Sequence, residues 1–234
     1  MNNSATRAHH VLTLFIACGL AHPAWAFAEP AVVRGAPDPA RFDSEIAAFE
    51  NWDRQNAVPP DAVLFVGSSS IRMWQTAESF PNLPVINRGF GGSHISDVNH
   101  FADRIVLKYK PRLIVFYAGD NDIAAGKSPQ HVEGDFKTFA QLVHDRLPEA
   151  RIVYLPIKPS IARWKRWPQM QQANQLIQSF SKSDDRLLYI DTATPMLDAD
   201  GIPRDDLFLD DGLHMNAKGY RLWTEILAPH LDMR

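Results

Sequence analysis

The sequence predicts an α/β fold: three layers, with one parallel sheet between helices on both of its faces. Three observations predict it. Apolar runs rich in β-branched and aromatic residues recur at Val63–Val66, Leu83–Asn87, Arg112–Tyr117, Arg151–Leu155 and Leu187–Ile190, and such runs read as short buried strands. Helical patterns separate them, each roughly a dozen residues or longer, the length a crossover between parallel strands needs. Strand after strand also ends in a small polar cluster, and in an open α/β sheet those ends converge on one side, where ligands bind.

Near its start the chain of 234 residues carries Arg7, then an apolar stretch from Val11 to Leu20 and Pro23-Ala-Trp-Ala26. A positive start, a short apolar stretch and an Ala-x-Ala pattern predict a secretory signal peptide over residues 1–26, cut after Ala26, and so an exported protein, periplasmic or secreted. The apolar stretch is too short to span a bilayer comfortably, so no stable membrane insertion is expected after cleavage. The single cysteine, Cys18, lies inside this segment. The mature chain is then free of thiols, which excludes disulfides, cysteine catalysis and thiolate metal sites.

Residues 27–58 read as an N-terminal arm and helix. Phe27 to Pro39 is rich in Pro and Ala. From Arg41 to Gln55, Phe42, Ile46, Phe49 and Trp52 recur at helical spacing among charges, which predicts an amphipathic helix docked on the core. Pro59-Pro60 ends it, and residues 59–234 are expected to form the catalytic domain. Val63–Val66 is expected as a strand that stops at Gly67, with helical turns carrying Ile71, Met73 and Trp74 after Ser68-Ser-Ser70. The second strand runs into Arg88-Gly-Phe-Gly-Gly-Ser93 and then a helix through His94 to Tyr109, ended by Pro111. The third strand ends in Ala118-Gly-Asp-Asn-Asp122. A helix over Pro129–Leu147, the fourth strand, a loop with Trp164 and Trp167, a helix over Pro168–Ser183, the fifth strand, a polar loop over Asp191–Asp211 and a closing helix over Asn216–Leu227 complete the order.

Hydrophobic residues make up 45% of the chain and the formal net charge is -3, a balance that argues against nucleic acid or an anionic membrane as partner. No metal site is expected. His94 and His100 lack partners at metal spacing and read as helix-surface residues. Asp198, Asp200, Asp205, Asp206 and Asp210 lack the pattern of a calcium loop and read as a solvated stretch. The glycines at 89, 91 and 92 do not form a dinucleotide fingerprint.

The polar clusters together make a site for acyl transfer. Gly67-Ser-Ser-Ser70 offers a nucleophile at a strand-to-helix turn, and serine needs a base to act as one. Gly89-Phe-Gly-Gly92 offers unobstructed backbone N–H groups. Gly119-Asp-Asn-Asp122 offers an amide. Asp210-Asp-Gly-Leu-His214 offers a carboxylate three residues before a histidine, a spacing that can turn both to one side so that the acid orients the imidazole.

From Val63 to Tyr220 these blocks resemble, in order, those of the SGNH (GDSL) hydrolase superfamily, and most closely its platelet-activating-factor-acetylhydrolase-like branch. The resemblance implies a flavodoxin-like three-layer sandwich. It implies Ser69 as nucleophile, with Asp211 and His214 completing the triad, and the Ser69 N–H, Gly92 and Asn121 as the oxyanion hole. The family usually carries Asp just before the nucleophile, and this chain has Ser68 there. The implied activity is an exported serine esterase that needs no cofactor or metal and cleaves small acyl esters, acetyl esters first. A carbohydrate deacetylase, a lysophospholipase or thioesterase, and an acyltransferase are the alternatives, with a silent sugar-binding module behind them. The expected partner is a small-molecule ester or acetylated carbohydrate. Trp164 and Trp167 are expected to meet substrate by stacking on a sugar or covering the site; anchoring of their loop on the core is the rival reading.

Overall fold

The computed structural model describes Met1 and residues 37–232. Beyond Met1, the expected signal peptide and the arm up to residue 36 lie outside the described residues. Five strands form one sheet: β1 (Val63–Gly67), β2 (Val85–Gly89), β3 (Leu113–Tyr117), β4 (Arg151–Tyr154) and β5 (Leu187–Tyr189). All pairings are parallel, in the spatial order β2-β1-β3-β4-β5. That order reverses direction between β1 and β3, and the crevice beyond their carboxyl ends is where a doubly wound sheet receives a ligand.

Alternation along the strands builds the three layers. Leu64, Val66, Ile114, Phe116, Ile152 and Tyr154 share one apolar cluster with Ile46 of α1 (Asp43–Gln55), Ile95 and Val98 of α4 (Ile95–His100), Phe136 of α7 (Pro129–Arg146) and Ile177 of α8 (Trp167–Ser181). Val63, Phe65, Leu113, Val115, Tyr117 and Val153 face the opposite way. They meet Ile71 of α2 (Ser69–Arg72), Phe80 just after α3 (Thr76–Ser79), and Trp223 and Leu227 of α9 (Ala217–Leu227). The helix before β1 thus shares the core of the sheet, because Phe42 and Ile46 are buried in it. Trp52 departs from the expected apolar stripe: it is 44% exposed, with the Arg88 guanidinium 4.9 Å from its ring.

The helix expected over His94–Tyr109 is three pieces: α4, α5 (Ala102–Ile105) and a 3-10 turn at Leu107–Tyr109. Phe101, Ala102, Ile105, Val106, Leu107 and Tyr109 are all buried. The backbone leaves helical geometry at Phe101 (φ -95°, ψ 7°) and at Val106 (φ -129°, ψ -66°), which divides the run into those pieces. His94 is also not on the surface. It is 6% exposed at the head of α4, where its backbone N–H donates to the Asp97 carboxylate at 2.8 Å. Among the described residues no helix is long and apolar enough to cross a membrane, and no cluster of His, Cys, Asp and Glu could hold a metal ion.

Candidate active site

β1 delivers Ser69 by a sharp turn. Gly67 has φ +139°, and a Cβ there would stand 1.8 Å from the Tyr117 carbonyl oxygen of β3, so only glycine lets the strand end this close to its neighbour. Ser69 then opens α2. The three serines divide by burial: Ser68 and Ser70 are 0% and 2% exposed, while Ser69 is partly exposed. The Ser70 carbonyl accepts from the Tyr220 hydroxyl at 3.0 Å, which ties the turn to α9. Asn87 ties it to β2. Its amide donates to the Ile71 and Trp74 carbonyls at 2.8 and 3.1 Å and accepts from the Gly89 N–H at 2.9 Å.

The loop before α9 brings the base. An antiparallel bridge between Phe208 and Met215 closes it, and Asn216 clamps its ends. The Asn216 side chain donates to the Asp206 and Phe208 carbonyls at 2.9 Å each and accepts from the Lys218 and Gly219 N–H groups, capping α9. Within the loop one Asp211 oxygen accepts from the Leu213 and His214 N–H groups, each at 2.9 Å. The other lies 2.6 Å from His214 Nδ1, and His214 Nε2 lies 3.1 Å from Ser69 Oγ.

These contacts fix the protons. The His214 side-chain bond, helped by the backbone donors of His214 and Leu213, pulls the Asp211 carboxyl down to about 2. An ionised carboxylate only accepts, so Nδ1 carries the hydrogen and Nε2 presents its lone pair to the Ser69 hydroxyl. The arrangement can accept a proton from serine as its oxygen attacks a carbonyl carbon.

Asn121 stands across the crevice, in α6 (Asp120–Ala124) at the end of β3. Its Nδ2 donates to the Ser93 carbonyl at 3.1 Å and its Oδ1 accepts from Arg163 Nη2 at 2.9 Å. The next residue, Asp122, is fully buried and accepts from the Ile95 N–H, joining the Asn121 turn to the glycine loop and α4. Burial pushes the Asp122 carboxyl up, against the pull of Lys127, whose Nζ lies 2.8 Å from both Asp122 and Asp135. Gly92 is exposed at φ +81°, a left-handed conformation that favours glycine. Among the described residues neither the Gly92 nor the Ser69 N–H donates to a protein acceptor.

Ser69, His214 and Asp211 are thus brought together by hydrogen bonds, and Asn121 is joined to the glycine loop through Ser93 and Asp122. The two tryptophans are placed otherwise. Trp167 is 8% exposed in the core, and Trp164 packs on the same cluster with its ring stacked on Trp167 at 6.0 Å. The stacked pair packs its loop on the core, with Trp167 buried and Trp164 left partly exposed. That loop contributes residues that the motifs did not reveal. Arg163 holds Asn121 and lies 3.0 Å from Asp120. Lys158 is almost fully buried 3.7 Å from Asp120, and burial lowers its pKa against the pull of that carboxylate. Charged residues in a loop look solvated in sequence, and only the basic run from Arg163 to Arg166 hinted at more.

The GDSL-like lipase/acylhydrolase family matches residues 66–222, more than half of the chain. The human platelet-activating factor acetylhydrolase IB subunit alpha2 is 30% identical over 175 residues, covering 69% of this chain and 71% of that protein. The human alpha1 subunit is 28% identical over 169 residues, covering 68% and 70%. Among solved structures, a GDSL-like lipase from Bacteroides thetaiotaomicron superposes with TM-score 0.66 at 20% identity, covering 82% of this chain and 96% of that one. A mutant acetyl-xylooligosaccharide esterase from Geobacillus Stearmophilus superposes with TM-score 0.61 at 15% identity, covering 75% and 95%. The chain therefore belongs to the GDSL-like lipase/acylhydrolase family of ester hydrolases, within the SGNH hydrolase superfamily.

Proposed function

We propose that this ester hydrolase is an exported serine esterase that removes small acyl groups, acetyl first, through an acyl-enzyme intermediate. The observation that carries the reading is the unbroken hydrogen-bonded chain from Asp211 through His214 to Ser69. Ser69 Oγ attacks the ester carbonyl carbon while its proton passes to His214 Nε2, and Asp211 stabilises the imidazolium through Nδ1–H. The carbonyl oxygen, now negative, receives the Ser69 and Gly92 N–H groups and the second Nδ2–H of Asn121. Collapse of the tetrahedral state breaks the bond to the alcohol, which leaves with the proton from Nε2. Water then attacks the acyl-serine, gives its proton to His214, and the acid departs with Ser69 restored.

Acetyl preference is supported by the acetylhydrolase relatives and the acetyl-xylooligosaccharide esterase neighbour. That neighbour also favours a second reading, in which the alcohol part is a carbohydrate. The charged, apolar, Ala-x-Ala succession up to Ala26 supports export. The test is initial rates of the purified protein on nitrophenyl esters of increasing chain length beside acetylated xylo-oligosaccharides. Highest kcat/KM on the acetyl ester is expected, and the sugar esters decide the alcohol. Preference for long acyl chains would contradict acetyl selectivity.

A further inference from the structure

We propose that Arg163 is a positioning residue for the oxyanion hole: it locks the Asn121 amide with its NH2 group toward the developing charge. The inference rests on the assignment of Asn121 as an oxyanion donor. An asparagine amide has two ends of opposite sense, and a half-turn about its last torsion would present a carbonyl oxygen to an anion. Two contacts forbid that turn. The Ser93 carbonyl can only accept, and it takes one Nδ2–H at 3.1 Å. A guanidinium can only donate, and Arg163 Nη2 gives to Oδ1 at 2.9 Å. A flipped amide would set donor against donor and acceptor against acceptor.

Arg163 is itself held. Its Nη1 lies 3.0 Å from Asp120 Oδ2, and Asp120 Oδ1 accepts from the Asn121 backbone N–H at 2.9 Å. Arginine, aspartate and asparagine thus close a ring around one side chain, and the planar fork of arginine reaches two partners that a lysine cannot serve together. A cation on Oδ1 also polarises the amide and strengthens its remaining N–H as a donor. The neighbouring residue reaches the other half of the site: the Ala162 N–H donates to the Gly212 carbonyl at 3.0 Å, inside the loop that carries Asp211 and His214. A test must therefore separate action through Asn121 from action through the base.

The experiment is a double-mutant cycle on the full chain with a nitrophenyl acetate substrate, using Arg163→Lys, Asn121→Ala and the pair. Arg163→Lys keeps the charge beside Asp120, so the thermal midpoint should hold. Its kcat should fall about tenfold with KM within about twofold, a loss smaller than that of Asn121→Ala. In the Asn121→Ala background the lysine should cost nothing further. The midpoint of the acid limb of kcat/KM should stay where the wild type has it. Equal losses in both backgrounds would overturn the proposal, as would a rise in KM at constant kcat, or a moved acid limb that points to the base loop. If Asn121→Ala alone leaves kcat unchanged, Asn121 is no oxyanion donor and both readings fall. If only the cycle is additive, the oxyanion assignment stands and Arg163 loses its role.

Discussion

Three consecutive serines present the same hydroxyl, and burial together with one hydrogen bond distinguishes them. Ser69 alone of the three meets His214, while Ser68 and Ser70 are packed inside. Ser69→Ala should therefore lower kcat on the order of 10⁶, while Ser70→Ala keeps most of the rate, as steady-state assays on one ester will show. Asp211→Asn should cost about 10⁴ in kcat by favouring the wrong imidazole tautomer. The carboxylate matters far less to folding. Its depressed pKa gives stability that is present above the ordinary Asp range and lost as the pH falls toward about 2, but the side chain is 48% exposed and screening keeps the effect small. The thermal midpoint should hardly move. The same shift predicts the pH profile. Asp211 stays ionised until about 2, so its own protonation adds nothing to the acid limb of kcat/KM above that value. The acid limb should show unit slope, and a slope of two well above that value would contradict the roles given to the pair. The residues proposed for these roles were legible because each lies in a short motif with its own local geometry. Arg163, Lys158 and the buried Asp122–Lys127 pair were not, since their partners are set by folding across the sheet edge rather than by neighbours in sequence.

At the scale of elements, four of the five strands were legible to within one residue, because runs such as Leu113–Tyr117 are buried on both faces and carry no polar interruption, whereas β2, with Asn87 and Arg88 in it, lies two residues beyond the expected Leu83–Asn87. The helix expected over His94–Tyr109 is broken at Phe101 and Val106 although its apolar residues recur at helical spacing, so the pattern alone did not show the breaks. The position of His94 was missed because groups distant in sequence, Asp122 and Lys127 among them, surround it in the fold. Asn216 both caps α9 and holds Asp206 and Phe208, so it fixes the frame in which Asp211 and His214 sit. Asn216→Ala should destabilise the protein by about 1–2 kcal/mol through the lost cap and loop bonds. It should also lower kcat about tenfold, although Asn216 itself has no part in the chemistry. Denaturant unfolding and kinetics on the same preparation check both numbers. A lowered midpoint with full kcat would show that the loop keeps its geometry without the clamp.

For the whole molecule, the sheet order sets where chemistry occurs. Ser69 follows β1, the glycine loop follows β2 and Asn121 follows β3, so three carboxyl ends at the reversal of strand order supply the proposed nucleophile and oxyanion donors, and the chain returns after β5 to bring the proposed base. Two apolar clusters, one on each face of the sheet, hold that frame. With the only cysteine in the segment before Ala26, the processed protein should have the same thermal midpoint with and without reductant, and N-terminal sequencing of exported material should begin at Phe27. A cytoplasmic protein that keeps Met1 would contradict export. The central claim, that Ser69 is the nucleophile driven by His214, is tested most directly by covalent capture. The wild type and the Ser69→Ala and His214→Ala variants are exposed to a fluorophosphonate and digested, and the labelled peptide is located by mass spectrometry. Stoichiometric label on Ser69 is expected, with none in Ser69→Ala and very slow labelling in His214→Ala. Label on Ser68 or Ser70, or equal labelling without His214, would contradict it.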